Sequence, residues 1–175
     1  MKVYLVRHGQ IPSNALRQYP AVDEQLTAVG VEQATALRER INKMKFDAVF
    51  CSPFERAKQT ARIITDNRSD IFYDDRLRER GYGDYTGRPL EAMDREEWWN
   101  YHADVRFGTS ENIVPFFERV FDFLEELKAK EYHTVLVVAH AGVSKAFSAY
   151  FEGMGDGGFL NRKFQNCEIK EYELL

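Results

Sequence analysis

A chain of 175 residues, 44% hydrophobic and 30% charged, is sized for one domain with a real core. Its net charge near −4 excludes a general nucleic-acid binder, which would be basic, but leaves room for a local cationic pocket. No apolar stretch approaches the roughly 20 residues of a bilayer span, and the N-terminus is not patterned as a signal peptide. These features predict a cytoplasmic protein with no membrane or nucleic-acid partner.

The chain opens on Met1-Lys2-Val3-Tyr4-Leu5-Val6, a strand-like apolar run that ends at Arg7-His8-Gly9. Pro12, Asn14, Pro20 and Asp23 then predict a loop from Gln10 to Gln25. A helix is expected from Thr27 to Met44, capped by Thr27, with Val31, Ala34, Leu37 and Ile41 on its buried face. Phe46 to Cys51 reads as a second strand. Ser52-Pro53-Phe54-Glu55 then reads as a helix start, with Ser52 at the cap and Glu55 closing a capping box. That helix should reach Thr65. Ile71 to Tyr73 follows as a third strand.

Between Asp74 and Thr109 the periodicity fades into a loop with one or two short helices from Leu90 to Tyr101. A long helix is predicted from Asn112 to Lys130, with Ile113, Phe116, Phe117, Val120, Leu124 and Leu127 at helical spacing. Thr134 to Ala139 is apolar at nearly every position, as a central strand covered on both faces should be. His140-Ala141-Gly142 ends it, a helix runs from Val143 to Phe151, and Glu168 to Leu174 forms a last strand. Strands alternating with helices predict a three-layer α/β/α sandwich on a mostly parallel sheet, one domain over 1–175. Cys51 and Cys167 make neither a disulfide framework nor a zinc cluster, and read as two reduced, buried thiols.

Three strand ends carry chemistry: Arg7-His8, Ser52 to Arg56, and His140. Parallel neighbouring strands would bring them to one rim, where open α/β sheets place ligands. Arg56 in a helix's first turn opposes the macrodipole, which makes sense beside a bound anion. Two imidazoles and two guanidiniums at one rim would be costly to pack without such a ligand. An acid at that rim would come from the loop Arg76 to Gly87, which offers Glu79 and Asp84. His102 reads as lid or surface, and His133 leads into the central strand.

These stretches together resemble the histidine phosphatase superfamily, the phosphoglycerate mutase-like family, over nearly the whole chain. Arg7-His8-Gly9 with Asn14 is similar to its RHGxTxxN box, and Leu26-Thr27, Gly30 and Gln33-Ala34 to its LTxxGxxQA helix. Ser52-Pro53, Arg56-Ala57 and Gln59-Thr60-Ala61 match SPxxRAxQTA. Leu77-x-Glu79 with Gly83 and Gly87 resembles LxExxxGxxxG, and Val138 to Val143 resembles the VxHGGV box. The resemblance implies His8 as a nucleophile that becomes phosphohistidine. It implies that Arg7, Arg56 and His140 hold the phosphoryl oxygens with Asn14 assisting, and that Glu79 is the proton donor. Ala141, where the family has glycine, would still offer its backbone amide. Ile11 stands in place of the usual threonine. Gly108-Thr109-Ser110-Glu111 replaces a Gly-Glu-Ser segment that often touches substrate, so no single member's substrate transfers.

Nearby arginines should keep the His8 imidazole neutral, and a bound phosphate should favour protonated Glu79. No metal or cofactor is implied, since cationic side chains would stabilise the transferred group. Family mutases are longer, with a larger insertion and a C-terminal tail over the site. This chain stops at Leu175, so a phosphatase of a small phosphorylated metabolite is expected over a mutase. The smallest members, which act on phosphohistidine in proteins, have a shorter insertion than 84–112. An inactive phospho-ligand binding module on the same fold is the reading outside enzymology. The insertion carries Tyr85, Trp98, Trp99, Tyr101 and Phe107, beside Tyr82, and is expected to serve as a lid, with at least one tryptophan sealing a short helix onto the core. Arg80 and Arg88 would meet a second acidic group on the substrate or be solvated. A homodimer is common for such enzymes, though no stretch marks its interface.

Overall fold

The computed structural model describes residues 1–175, and its frame is one five-stranded sheet. In chain order the strands are β1 (Lys2–Arg7), β2 (Ala48–Cys51), β3 (Ile71–Tyr73), β4 (Thr134–Ala139) and β5 (Ile169–Glu173). Across the sheet they run β3-β2-β4-β1-β5. The first four are mutually parallel, and β5 lies antiparallel to β1. The α/β/α sandwich expected from the alternation of elements is therefore what the chain adopts.

Alternation along the central strands feeds two cores. Val3 and Leu5 of β1, with Val135, Val137 and Ala139 of β4, face α5 (Ile113–Lys128) and α6 (Ala141–Glu152). Tyr4, Val6, Leu136 and Val138 point the other way, toward α2 (Ala28–Ile41) and α3 (Glu55–Ile64). Because both faces of β4 are covered, its sequence shows no polar alternation. Two short helices complete the chain, α1 (Pro12–Leu16) and α4 (Arg95–Trp98).

Thr27 caps α2 as expected, its hydroxyl accepting from the Gly30 amide at 3.1 Å. Val31, expected on the buried face, is 43% exposed, and Gly30, Ala34 and Ile41 take the inner positions. The reason is close approach. A Cβ on Gly9 would lie 2.5 Å from the Gly30 carbonyl oxygen, and one on Gly30 would lie 2.2 Å from that of Gln10. The α2 backbone thus sits directly on the turn leaving β1, and glycine at both positions makes that contact.

Three other local expectations need correction. The segment read as loop contains α1, which Pro12 opens at no cost because first-turn amides lack intrahelical partners. Helix α3 begins at Glu55 with Phe54 as its cap, so Ser52 does not cap it. Glu55 pairs with Arg62 at 3.4 Å instead of closing a capping box. Helix α6 begins at Ala141, two residues before the expected start, so that His140 itself is the cap residue.

The insertion is not an open flap. Trp98 is 1% and Trp99 4% exposed, and both belong to the larger core, where their rings meet edge to face at 4.8 Å. No helix is long and apolar enough to cross a membrane. Cys51 is buried and Cys167 partly so, and both are free thiols.

Candidate active site

Strand register assembles the site. Arg7 lies opposite Ala139 and Cys51 opposite Val138, so the next residues of β1, β2 and β4 emerge together. The backbone seals this arrangement: the His8 amide donates to the Ala139 carbonyl, and the Ser52 amide to that of Val138, each at 3.0 Å. The His8 and His140 rings then stand 5.1 Å apart and edge to face.

His8 is 3% exposed, and its Nδ1 lies 2.7 Å from the Gly9 carbonyl oxygen. A carbonyl only accepts, so Nδ1 carries the proton and Nε2 keeps a lone pair. Burial holds the His8 pKa well below that of a free histidine, and the charges of Arg7 and Arg56 push the same way. The neutrality expected from the arginines is present, with desolvation as its larger cause. His140 is fully buried and held neutral mainly by burial, then by Arg56, His8 and Arg7. Its Nε2 lies 2.7 Å from the Ser52 hydroxyl, while Nδ1 is buried with no protein partner.

The two arginines are anchored through one nitrogen each. Arg7 Nη1 donates to the Phe164 carbonyl at 2.6 Å. Arg56 Nη1 donates to the carbonyls of Ala21 at 2.8 Å and Val22 at 3.2 Å, with its guanidinium 5.0 Å over the Phe54 ring. The Nε atoms of both arginines are buried without a protein partner. Buried polar groups left unpaired carry a desolvation cost; Arg7 and Arg56 each present one N–H of this kind, and His140 one ring nitrogen. The two guanidiniums beside these imidazoles make the rim cationic and suited to an anion.

Glu79 reaches the same rim from the loop after β3. Its carboxylate accepts from the Gly142 amide, 3.1 Å from each oxygen, and Oε1 accepts from the Arg80 amide at 2.9 Å. A Cβ on Gly142 would meet Oε1 at 2.1 Å, which explains the bare backbone there. Asp84, the other acid of that loop, instead accepts from the Thr109 amide at 3.2 Å.

Asn14 Oδ1 accepts from the Ile11 amide at 3.3 Å and from Asn166 Nδ2 at 3.1 Å, leaving its own amide nitrogen without those duties. Ala141 opens α6, where first-turn amides lack intrahelical acceptors. All seven residues singled out by sequence thus lie on the rim or on elements that meet it. Arg80 does not. It is fully buried, its guanidinium 3.8 Å over the Trp98 ring and its Nε donating to the Glu111 carbonyl at 2.8 Å. Arg88 is exposed and lies over Tyr85. Arg88 is thus solvated, one of the two outcomes expected, whereas the buried Arg80 is not.

Sequence reasoning missed Ser52, whose helix-cap signal masked a bond to His140. It also missed Asn166, which donates to the His8 carbonyl at 2.9 Å from 158 residues away and leaves no local signal. Beside Glu79 opens a pocket of about 660 Å³ lined by Phe54, Arg78, Arg106, Ser110, Glu111 and Arg119 among others. The buried histidines lie next to it and do not line it. No group of three His, Cys, Asp or Glu side chains comes together to hold a metal ion.

Comparison with known proteins agrees with this geometry. The model of the histidine phosphatase superfamily (branch 1) matches residues 3–174. The adenosylcobalamin/alpha-ribazole phosphatase of Escherichia coli K12 is 32% identical over 163 residues, covering 88% of this chain and 80% of that protein. Phosphoserine phosphatase 1 of Hydrogenobacter thermophilus is 28% identical over 184 residues, covering 100% of this chain and 86% of its own length. The crystal structure of the alpha-ribazole phosphatase from Shigella flexneri has a TM-score of 0.83 at 28% identity, covering 99% of this chain and 90% of that one. A buried histidine pair between two arginines, on a sheet of this topology and in a chain matched from end to end, makes this protein a member of the histidine phosphatase superfamily.

Proposed function

We propose that this protein hydrolyses a small phosphomonoester in two steps, without a metal, through a phosphohistidine on His8. The observation that carries the reading is the neutral, buried His8 imidazole, with the charges of Arg7 and Arg56 acting on it and the His140 ring 5.1 Å away. In the first step the His8 Nε2 lone pair attacks phosphorus, and the P–N bond forms as the bond to the ester oxygen breaks. Protonated Glu79 gives its proton to that oxygen. In the second step water attacks the phosphohistidine, Glu79 takes the proton, and the P–N electrons return to Nε2 as phosphate leaves. Splitting one displacement into two lowers each barrier, and the fixed cations stabilise charge on the equatorial oxygens.

For His140 to donate from Nδ1, Ser52 must donate its hydroxyl proton to Nε2, which fixes the tautomer. Asn14 and the Ala141 amide would add donors to the phosphoryl oxygens. The ester's organic part would occupy the pocket beside Glu79, touched by the stretch 106–112 of the insertion 84–112. In this reading the domain spans 1–175 and works in the cytoplasm, as a homodimer if it follows the common arrangement.

The test is hydrolysis of p-nitrophenyl phosphate and a panel of phosphorylated metabolites in chelator. Turnover is expected, abolished by His8→Ala and strongly reduced by Glu79→Gln. Tight phosphate binding with no turnover on any ester would instead favour a binding module. Priming of phosphoglycerate interconversion by 2,3-bisphosphoglycerate would favour a mutase.

A further inference from the structure

The chain around Glu79 has little regular structure of its own, yet a proton donor must be held within hydrogen-bond reach of the leaving oxygen. We infer that Arg119 on α5 is the positioning residue that holds the Glu79 loop. A guanidinium has five N–H donors, and here all five find acceptors. Nη1 donates to the carbonyls of Arg76 at 2.6 Å and Arg78 at 2.9 Å. Nη2 donates to the Glu79 carbonyl at 3.2 Å and to Glu111 Oε2 at 3.0 Å, and Nε to Glu111 Oε1 at 2.9 Å.

Glu111 extends the brace past Glu79. Its Oε2 accepts from the Gly81 amide at 2.9 Å, and its own amide donates to the Gly81 carbonyl at 2.8 Å. The loop is therefore pinned on both sides of the acid. On the other side of the arginine, Cζ stacks 4.6 Å over Phe116. That ring would lie 3.1 Å from a Cβ on Gly142, the residue whose amide holds the Glu79 carboxylate. One side chain thus fixes the acid's backbone against the same packing that fixes its carboxyl.

Arg119 and Glu111 form a bidentate, mutually neutralising pair, which separates this role from that of Arg7 and Arg56. Arg119 has no N–H left for a phosphoryl oxygen. The effect of losing it falls on proton delivery, while phosphate affinity stays as it was.

The inference rests on the phosphatase reading, and leaving-group dependence tests it separately. The ratio kcat/KM reports the steps through departure of the leaving group. Phenyl phosphate, whose leaving oxygen is far more basic, needs a proton from Glu79 at that stage, whereas p-nitrophenolate leaves as a stable anion and puts the same ring in the pocket that Arg119 also lines. Arg119→Met is expected to lower kcat/KM for phenyl phosphate about 10- to 100-fold and for p-nitrophenyl phosphate less than about threefold. Inhibition by inorganic phosphate should change less than about twofold, and Arg119→Lys should recover part of the loss through its three donors. Glu111→Gln, which keeps the shape of the brace, should give a smaller loss of the same selectivity and serves if Arg119→Met does not fold. Equal losses on both esters, no loss on either, or weakened phosphate inhibition would overturn the inference. Failure of the wild-type protein to turn over either ester would instead overturn the phosphatase reading.

Discussion

Two kinds of buried or half-buried cation lie at or beside this one rim. Arg119 spends all five donors on three carbonyls and a carboxylate, and Lys145 directs its ammonium to the carbonyls of Phe159, Leu160 and Arg162. Arg7 and Arg56 are as deeply set but leave their Nε atoms unpaired, as His140 does its Nδ1. A cation whose donors are all consumed by protein serves as scaffold, since it has nothing left to offer a ligand. A cation buried with donors in reserve costs stability until an anion arrives. Arg80 shows where the distinction needs care: its Nη2 is also unpaired, but its guanidinium carbon sits over the Trp98 ring, whose face meets the charge.

The largest test of this contrast is removal of the group both kinds of cation surround. His8→Ala should lower turnover by at least about 10⁴-fold, because no other group at the rim can form the covalent intermediate. Next comes Arg56→Met, expected to cost about 10²- to 10³-fold in kcat/KM, the scale of one lost oxyanion donor. It should also weaken inhibition by inorganic phosphate, which replacing Arg119 should not. If Arg56→Met merely lowered stability and left phosphate affinity intact, Arg56 would belong with the scaffold, tied as it is to Ala21 and Val22.

Ser52→Ala probes a finer point. It frees Nε2 of His140 and should cost about five- to tenfold in kcat/KM, the equivalent of about one net hydrogen bond. An unchanged rate would mean that the His140 tautomer is set elsewhere.

The smallest expected effect is on the pH dependence of stability. Both histidines have folded-state pKa values below the free value of about 6.5, so the unfolded chain binds more protons as pH falls through that region. Their contribution is therefore fully present above about pH 6.5 and lost as pH drops toward the folded values. Urea midpoints at pH 8 and pH 5.5 should separate more for the wild type than for His8→Gln. Equal separations would place His8 in a better-solvated setting than its 3% exposure indicates.

Much of the site was legible because its residues fall at strand ends. Val3 to Val6 and Val135 to Val138 announce β1 and β4 as continuous apolar runs, and whatever follows neighbouring parallel strands emerges at the same rim. Arg56 was legible as a helix-start cation placed against its dipole. Glu79 was only one of two acids in a loop until the family boxes favoured it, since loops carry no period. Ser52 was misread because a serine ahead of proline at a helix start carries the cap signal whatever its hydroxyl touches. The same holds for Arg80, where the sequence gives no hint that two indoles would enclose the charge.

The sequence alone determined the sandwich, its five strands and four longer helices in chain order, and most of the residues with chemistry to offer. Local spacing and the patterning of apolar residues encode those, and both survive in a linear chain. Only the tertiary structure decided which polar atoms are spent and which are held in reserve. Satisfaction of a buried polar group depends on partners brought from far along the chain: the Phe164 carbonyl accepts from Arg7, and the Asn166 amide donates to the His8 carbonyl. The division between scaffold and ligand-facing cation at this rim is therefore a property of packing.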